Sequence, residues 1–221
     1  MEQYIVKVLE TEYLTHNVKR FVIEKPAGYN YIPGQATDVA INKPGWETEL
    51  RPFTFTSLHN DDHLEFMIKI YTGHNGVTEQ LGAVKPGDEL IIHEVFGAIN
   101  YKGPGVFIAG GAGITPFVAI LRQLKADNKL AGNTLLFANR TEDDIILKDE
   151  LEALLGKNCH HIIDHPLAPT IPARYIDGRL LEQHLSATAH YYICGPDKFI
   201  EKMIGYLEDL GITPEQIVIE Q

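Results

Sequence analysis

Residues 105–118 read GVFIAGGAGITPFV. The apolar run Val106–Ala109 has the length of a fully buried strand. Gly110, Gly111 and Gly113 follow, and glycine lets a chain turn sharply and come close to a ligand. Ile114, Thr115 and Pro116 lead into an amphipathic stretch, Phe117 to Lys129, read with Pro116 as a helix over 116–129. Pro116 fits a first helical turn, where no N–H is needed. Strand, glycine turn and helix start, in this order, aim free N–H groups and a partial positive charge at one spot, where a phosphate can sit. The spacing is G-x-G-x-x-P and not G-x-G-x-x-G, so the stretch taken alone also describes a tight βα turn that binds nothing.

Downstream the alternation repeats. Strand-like Thr134–Ala138 precedes a helical stretch at 143–155, Cys159–Ile163 one at 179–186, and Tyr191–Cys194 one at 197–210, before a last strand at Gln216–Ile219. Such alternation argues for a parallel sheet covered on both faces, with ligands beyond the C-terminal ends of its strands. Gly110–Gly113 lies at one such end and Cys194-Gly195-Pro196 at another. Upstream the pattern differs. Tyr4–Leu9, Val18–Ile23, Gln35–Ile41, Phe53–Leu58, Leu64–Tyr71 and Glu89–Val95 are short β-prone runs set apart by turns such as Pro33-Gly34 and Lys85-Pro86-Gly87-Asp88. A short helix is expected at Val77 to Val84. Runs at this spacing indicate a sandwich or barrel. The expectation is two domains: an antiparallel β-barrel over residues 1–100 and an α/β, Rossmann-like parallel sheet over 101–221, joined by a linker at 100–104.

Composition narrows the function. No run of the 221 residues approaches the ~20 apolar residues of a membrane span. The opening MEQYIVKVLETEYL has no basic segment followed by an apolar one, so no signal peptide is expected and the cytoplasm is the expected compartment. A net charge of −11 argues against nucleic acid and anionic membranes as general partners, while leaving room for a local basic patch. Two cysteines make neither a disulfide framework nor an all-cysteine metal site, and the ten histidines form no metal signature. No metal is expected.

Three further constellations carry chemistry. Arg51-Pro52-Phe53-Thr54 lies inside the β-rich half; the arginine could clamp a phosphate, the phenylalanine stack on a flat ring and the threonine hydrogen-bond its edge. The same residues also describe an exposed arginine beside an ordinary core strand. Gly76, Val77 and Thr78 open the short helix, either as a second anion site or as a simple cap. Cys194-Gly195-Pro196-Asp197 ends a strand and opens a helix, with the sulfur either buried or at the ligand edge.

In this order, R-P-[aromatic]-[S/T], G-x-[S/T] at a helix start, G-G-x-G-I-T-P and C-G-P, the chain resembles the ferredoxin–NADP reductase superfamily, and in particular its bacterial flavodoxin-reductase and flavohaemoglobin-reductase branches. The resemblance implies a flavin-binding barrel, an NAD(P)-binding domain, FAD in preference to FMN, and NADPH or NADH as substrate. It implies that Arg51 and Pro52 head the flavin strand, Arg51 holding the flavin phosphate. Phe53 would take a tyrosine's place against the isoalloxazine, and Thr54 would donate toward the flavin N5. Ile68, Lys69 and Ile70 would line the ribityl chain and diphosphate, and Gly76, Val77 and Thr78 would cradle the diphosphate. Gly111, Gly113, Ile114, Thr115 and Pro116 would form the pyridine-nucleotide loop, with Thr115 between the two cofactors. Cys194, Gly195 and Pro196 would lie beside the nicotinamide, so that Thr54 and Cys194 are the candidate catalytic residues.

The departures from the family pattern also carry expectations. Phe53 lacks a tyrosine hydroxyl, which weakens flavin retention but keeps the stacking. The closing Val218-Ile219-Glu220-Gln221 has no aromatic to cover the flavin, leaving it open to nicotinamide or an acceptor. Two cysteines leave no fused plant-type iron–sulfur domain and no cysteine-rich tail, and no globin segment precedes the barrel, so the expected acceptor is another molecule: a ferredoxin, a flavodoxin, a haem protein or free flavin. Arg140 or Arg179 could meet a 2′-phosphate, whereas Asp164 would repel one; the balance leans slightly to NADPH tolerance. The reading is a flavin-dependent NAD(P)H oxidoreductase, expected to be a monomer. The alternatives are a non-catalytic electron-transfer subunit or redox sensor, and an unrelated nucleotide-binding α/β enzyme.

Overall fold

A computed structural model describes residues 2–97 and 99–219; Glu220 and Gln221, which close the chain's open-ended expectation above, lie outside the described residues. Six strands form the first sheet: β1 (Gln3–Tyr13), β2 (Val18–Glu24), β3 (Ala36–Ile41), β4 (Arg51–Thr54), β5 (His63–Lys69) and β6 (Glu89–Phe96), with helix α1 (Val77–Ala83) between the last two. Their order, β4-β3-β6-β1-β2-β5, is antiparallel throughout and curls into a nearly closed barrel. Register slips at Val8/Glu10 and Thr37/Val39 supply bends of the kind a closing sheet needs. Inside, Phe55 stacks on Tyr31 at 4.2 Å and lies 5.1 Å from Phe66, all three buried.

The second sheet is parallel. It comprises β7 (Gly105–Gly110), β8 (Thr134–Asn139), β9 (Cys159–Ile163), β10 (His190–Cys194) and β11 (Ile217–Ile219) in the order β11-β10-β7-β8-β9. Helices α2 (Thr115–Ala126), α3 (Lys148–Leu155), α4 (Gly178–Glu182) and α5 (Asp197–Asp209) connect its strands. Phe107 and Ala109 belong to the apolar cluster on one face, Val106 and Ile108 to that on the other, which is why β7 is apolar without alternation. The chain leaves β7 toward β8 on one side and returns from β9 to β10 on the other. The strand order therefore reverses between β7 and β10, where open α/β sheets bind ligands.

Several boundaries differ from expectation. The strand expected at Phe53–Leu58 is β4 at Arg51–Thr54, on the edge of the sheet, where Pro52 forfeits no ladder bond that a central strand would need. The helix expected over 143–155 is a 3₁₀ turn at Glu142–Asp144 followed by α3, because Leu147 takes a left-handed conformation (φ +51°) between them. α2 ends at Ala126 and α4 at Glu182, earlier than their apolar patterns suggest.

The linker is fastened to the second sheet. The Tyr192 hydroxyl accepts from the amides of Lys102 (2.9 Å) and Gly103 (3.0 Å) and donates to the Gly103 carbonyl at 2.7 Å. The domains also share core: Val18 and Met67 of the barrel lie in one buried cluster with Phe117, Val118 and Leu121 of α2.

Candidate functional site

The two glycine loops at the reversal point are packed against each other. A Cβ on Gly113 would stand 2.3 Å from the Cys194 carbonyl oxygen and 2.6 Å from the Gly195 nitrogen. A Cβ on Gly195 would stand 3.2 Å from the Gly110 Cα. No side chain fits at Gly113, which serves backbone-to-backbone approach, while at Gly195 the nearest obstacle is the Phe199 ring at 2.8 Å. Gly111 differs: its φ is +53° and the space beside its Cα is empty. Gly111 also lines a cleft of about 580 Å³ between the domains. Gly111, Gly113, Arg140, Cys194, Gly195 and Pro196 line it from the parallel sheet, and Asn17, Val18, Lys69 and Tyr71 from the barrel.

The cleft is basic although the chain is acidic. Lys69, Arg140, Arg174 and Lys202 line it against Asp144 and Asp164. Burial would raise the Asp144 carboxyl, but the hydroxyl (2.7 Å) and amide (2.9 Å) of Thr141 outweigh it and hold its pKa below the ordinary value. Asp164 Oδ1 lies 2.7 Å from His165 Nδ1 on the wall beside Arg140. Arg179, the other expected partner of a 2′-phosphate, is not among the lining residues.

Behind this wall Ile114, Thr115 and Pro116 are buried, and the Thr115 hydroxyl donates to the Ala112 carbonyl at 3.1 Å, tightening the loop before α2. The flavin-strand residues form a separate group on the barrel and do not line the cleft. The Arg51 guanidinium, half exposed, donates to its neighbour's carbonyl on Leu50 at 2.6 Å and lies 4.0 Å from Glu49, so no buried acceptor holds it. Phe53 is half-buried, tilted against Phe66 at 6.4 Å, and the half-buried Thr54 hydroxyl has no hydrogen bond among the described residues. Ile68 and Ile70 are buried, the Ile70 amide donates to the Asn17 carbonyl at 2.7 Å, and the Lys69 side chain is left for a ligand. At α1, Val77 is buried, and the Glu79 carboxylate accepts from the amides of Gly73 (3.1 Å), His74 (3.1 Å) and Asn75 (2.6 Å). Those bonds shape the loop before Gly76 and hold the Glu79 pKa below its ordinary value.

Sequence reasoning missed Asn17, Tyr71, Asn139, Arg174, Tyr175 and Lys202, all of which line the cleft. Asn139 closes β8 at a strand end, the one signal that points to it. Arg174 and Tyr175 come from the irregular chain between β9 and α4, which the Arg174 amide pins to the Ile163 carbonyl at the end of β9 at 2.8 Å. Among the described residues no group of three or more histidine, cysteine or acidic side chains could hold a metal ion.

Two family models match successive parts of the chain. Residues 3–89 match a FAD-binding domain and residues 107–204 an oxidoreductase NAD-binding domain. Over 237 residues the chain is 31% identical to an NADH-cytochrome b5 reductase 1 of Mycosarcoma maydis, covering 98% of this chain and 71% of that protein. The chain belongs to the ferredoxin–NADP reductase superfamily. It is also 29% identical to an NADH–cytochrome b5 reductase 1 of Arabidopsis thaliana, over 95% of this chain and 80% of that protein. A ferredoxin NADP+ reductase from Neisseria gonorrhoeae, solved with bound FAD and NADP, superposes with a TM-score of 0.85 over 99% of this chain and 98% of that one, at 18% identity, so that this likeness speaks for the fold. As a member of this superfamily, the protein is a flavin-dependent NAD(P)H oxidoreductase that passes electrons to a separate acceptor. Its cofactors are FAD and a nicotinamide nucleotide. The residues fit both groups: a basic cleft with an open left-handed glycine suits a dinucleotide's phosphates, and the Arg51 guanidinium and Thr54 hydroxyl are left for a flavin.

Proposed function

We propose that this reductase takes its hydride from NADH and hands electrons to a separate redox protein, a small haem protein of the cytochrome b5 kind being the first candidate. The observation that carries the proposal is the concentration of Lys69, Arg140, Arg174 and Lys202 in the cleft of an acidic chain, beside the Gly111–Pro116 loop. Four cations there match a diphosphate, and the Asp164 carboxylate on the same wall opposes the further phosphate of NADPH. The names of the relatives above support NADH and the haem acceptor.

The site residues take their roles from position. Gly111, Gly113, Ile114, Thr115 and Pro116 receive the nucleotide diphosphate at the start of α2, and Cys194, Gly195 and Pro196 bound the nicotinamide end of the cleft. Arg51 pairs with the flavin phosphate, Pro52 starts the strand, Phe53 stacks, Thr54 donates at the flavin edge, and Ile68–Ile70 and Gly76–Thr78 line the flavin's tail. When bound, the flavin accepts hydride from the nicotinamide and releases electrons to the acceptor; the chain contributes position more than acid–base chemistry. A cytoplasmic monomer is the form we propose, in keeping with the low cysteine count.

Anaerobic addition of NADH and of NADPH to the yellow protein tests the reading. NADH is expected to bleach the flavin band at least about tenfold faster than NADPH, and the protein so reduced is expected to reduce purified cytochrome b5. A protein bleached by neither nucleotide returns the reading to a sensor or electron-transfer subunit.

A further inference from the structure

One charged network crosses the two domains, and no binding role above accounts for it. Arg122 of α2 has 23% of its side chain exposed and Glu65 of β5 only 4%. The Arg122 Nη1 donates to Glu65 Oε1 at 2.7 Å and to the Thr56 carbonyl at 2.8 Å. Its Nε and Nη2 donate to the two carboxylate oxygens of Glu150 on α3, at 2.6 and 2.9 Å. Glu65 also accepts from Arg20 Nε at 2.5 Å and from the Thr56 hydroxyl at 2.8 Å, and its own amide donates to Ser57 Oγ at 2.9 Å. Guanidinium and carboxylate groups thus alternate from Arg20 to Glu150, with each nitrogen of the Arg122 guanidinium donating.

The middle members of this network stand on the segments that carry the two halves of the reaction site. Thr56 follows Thr54, on the flavin strand, by two residues. Arg122 lies on the same helix as Thr115 of the nucleotide loop, two turns or about 10 Å further along. The interface already has apolar attraction from Val18, Met67, Phe117 and Leu121, which is non-directional and permits sliding. A buried ion pair often does no better for stability than apolar packing of the same volume. What the arginine fork adds is direction, since it fixes a helix to a backbone carbonyl and two carboxylates at once. We infer that Arg122 and Glu65 are positioning residues: they set the register of the Thr54 strand against the Gly111–Thr115 loop, and hence the approach of nicotinamide to flavin. The inference rests on the proposed function for its kinetic consequence.

The test uses the full chain. Arg122→Met combined with Glu65→Gln removes the two central charges together, leaving Arg20 its pair with Glu12 and leaving Glu150, 34% exposed, to solvent. This double variant is expected to keep its flavin and to bind NAD+ within about twofold of the parent, while bleaching by saturating NADH slows about tenfold or more. In the flavin-free proteins, amide exchange over 55–58 and 113–118 is expected to quicken, with β7 and β8 unchanged. A bleaching rate within twofold of the parent, with exchange unchanged over those segments, overturns the inference. Should the double variant lose its flavin, Arg122→Lys keeps the charge but not the fork; it is expected to show the same slowing, and a parental rate there overturns the inference equally. A parent protein that NADH does not bleach defeats the proposed function instead, and the exchange measurement then judges the inference alone.

Discussion

Gly113 is the position where the fold leaves least room, and Gly113→Ala gives the sharpest prediction. The added methyl would lie 2.3 Å from the Cys194 carbonyl oxygen, 2.5 Å from its carbon and 2.6 Å from the Gly195 nitrogen. Relief to ordinary contact near 3.4 Å needs a separation of about 1 Å between two backbone loops, and neither can rotate away as a side chain would. Overpacking of this kind costs about 1–3 kcal/mol. The movement also falls between the nucleotide loop and the Cys194-Gly195-Pro196 segment, and a shift of about 1 Å at such a place lowers rate by about 100-fold. Gly111→Ala is the control. Its methyl meets nothing within 4 Å, and its cost is the left-handed conformation at φ +53°, about 1–2 kcal/mol. Urea unfolding of the two variants, alongside NADH titration of the flavin band, separates the cases. Gly113→Ala is expected to lose both stability and rate; Gly111→Ala, at a residue that lines the cleft, is expected to lose nucleotide affinity with a smaller loss of stability. A Gly113→Ala protein as stable and as fast as the parent would refute the packing of the two loops.

Asp164→Ser removes a carboxylate that lines the cleft, and the ratio of NADPH to NADH bleaching rates is expected to rise about tenfold. Cys194→Ala should slow bleaching while leaving the flavin content unchanged, read from the visible spectrum before and after NADH. Burial would raise the Glu65 carboxyl, but Arg122 and Arg20 outweigh it, and its pKa lies below the ordinary value. Its contribution to stability is therefore complete above the unfolded-chain pKa of about 4.3 and disappears as pH falls through the folded value; Glu65→Gln should flatten the acid limb of a stability–pH curve. Lys19 donates to the carbonyls of Gly82 (3.0 Å) and Val84 (2.6 Å) at the end of α1, and Lys19→Met should lower stability by about 2 kcal/mol in urea unfolding.

Much of this architecture was legible because local chemistry and global topology agree. The 105–118 stretch must be strand, turn and helix for reasons of composition alone, and once β7 is parallel its glycine end must face a ligand cleft. The β-rich half was readable from its turns, although its fourth strand begins at Arg51 and ends at Thr54, short of the Phe53–Leu58 run. The helix break at Leu147 was not readable, since the left-handed conformation of a leucine is imposed by packing and not by propensity. Arg174, Tyr175 and Lys202 escaped because nothing local distinguishes them from surface residues; the crossing from β9 to β10 carries the first two to the cleft, and α5, which follows β10, carries Lys202. The partnership of Arg122 with Glu65 joins residues 57 apart in sequence, beyond the reach of any spacing argument.

The bonds from Tyr192 to Lys102 and Gly103 have a practical consequence for recombination. Although the linker stands before the parallel sheet in sequence, it is held by that sheet's fourth strand in chain order. A chimera that borrows a barrel from one relative and a nucleotide domain from another should therefore be spliced upstream of Tyr101, so that the linker travels with the phenol that anchors it. A splice after Gly103 would hand the anchor a foreign backbone and leave the two borrowed parts to find their own alignment.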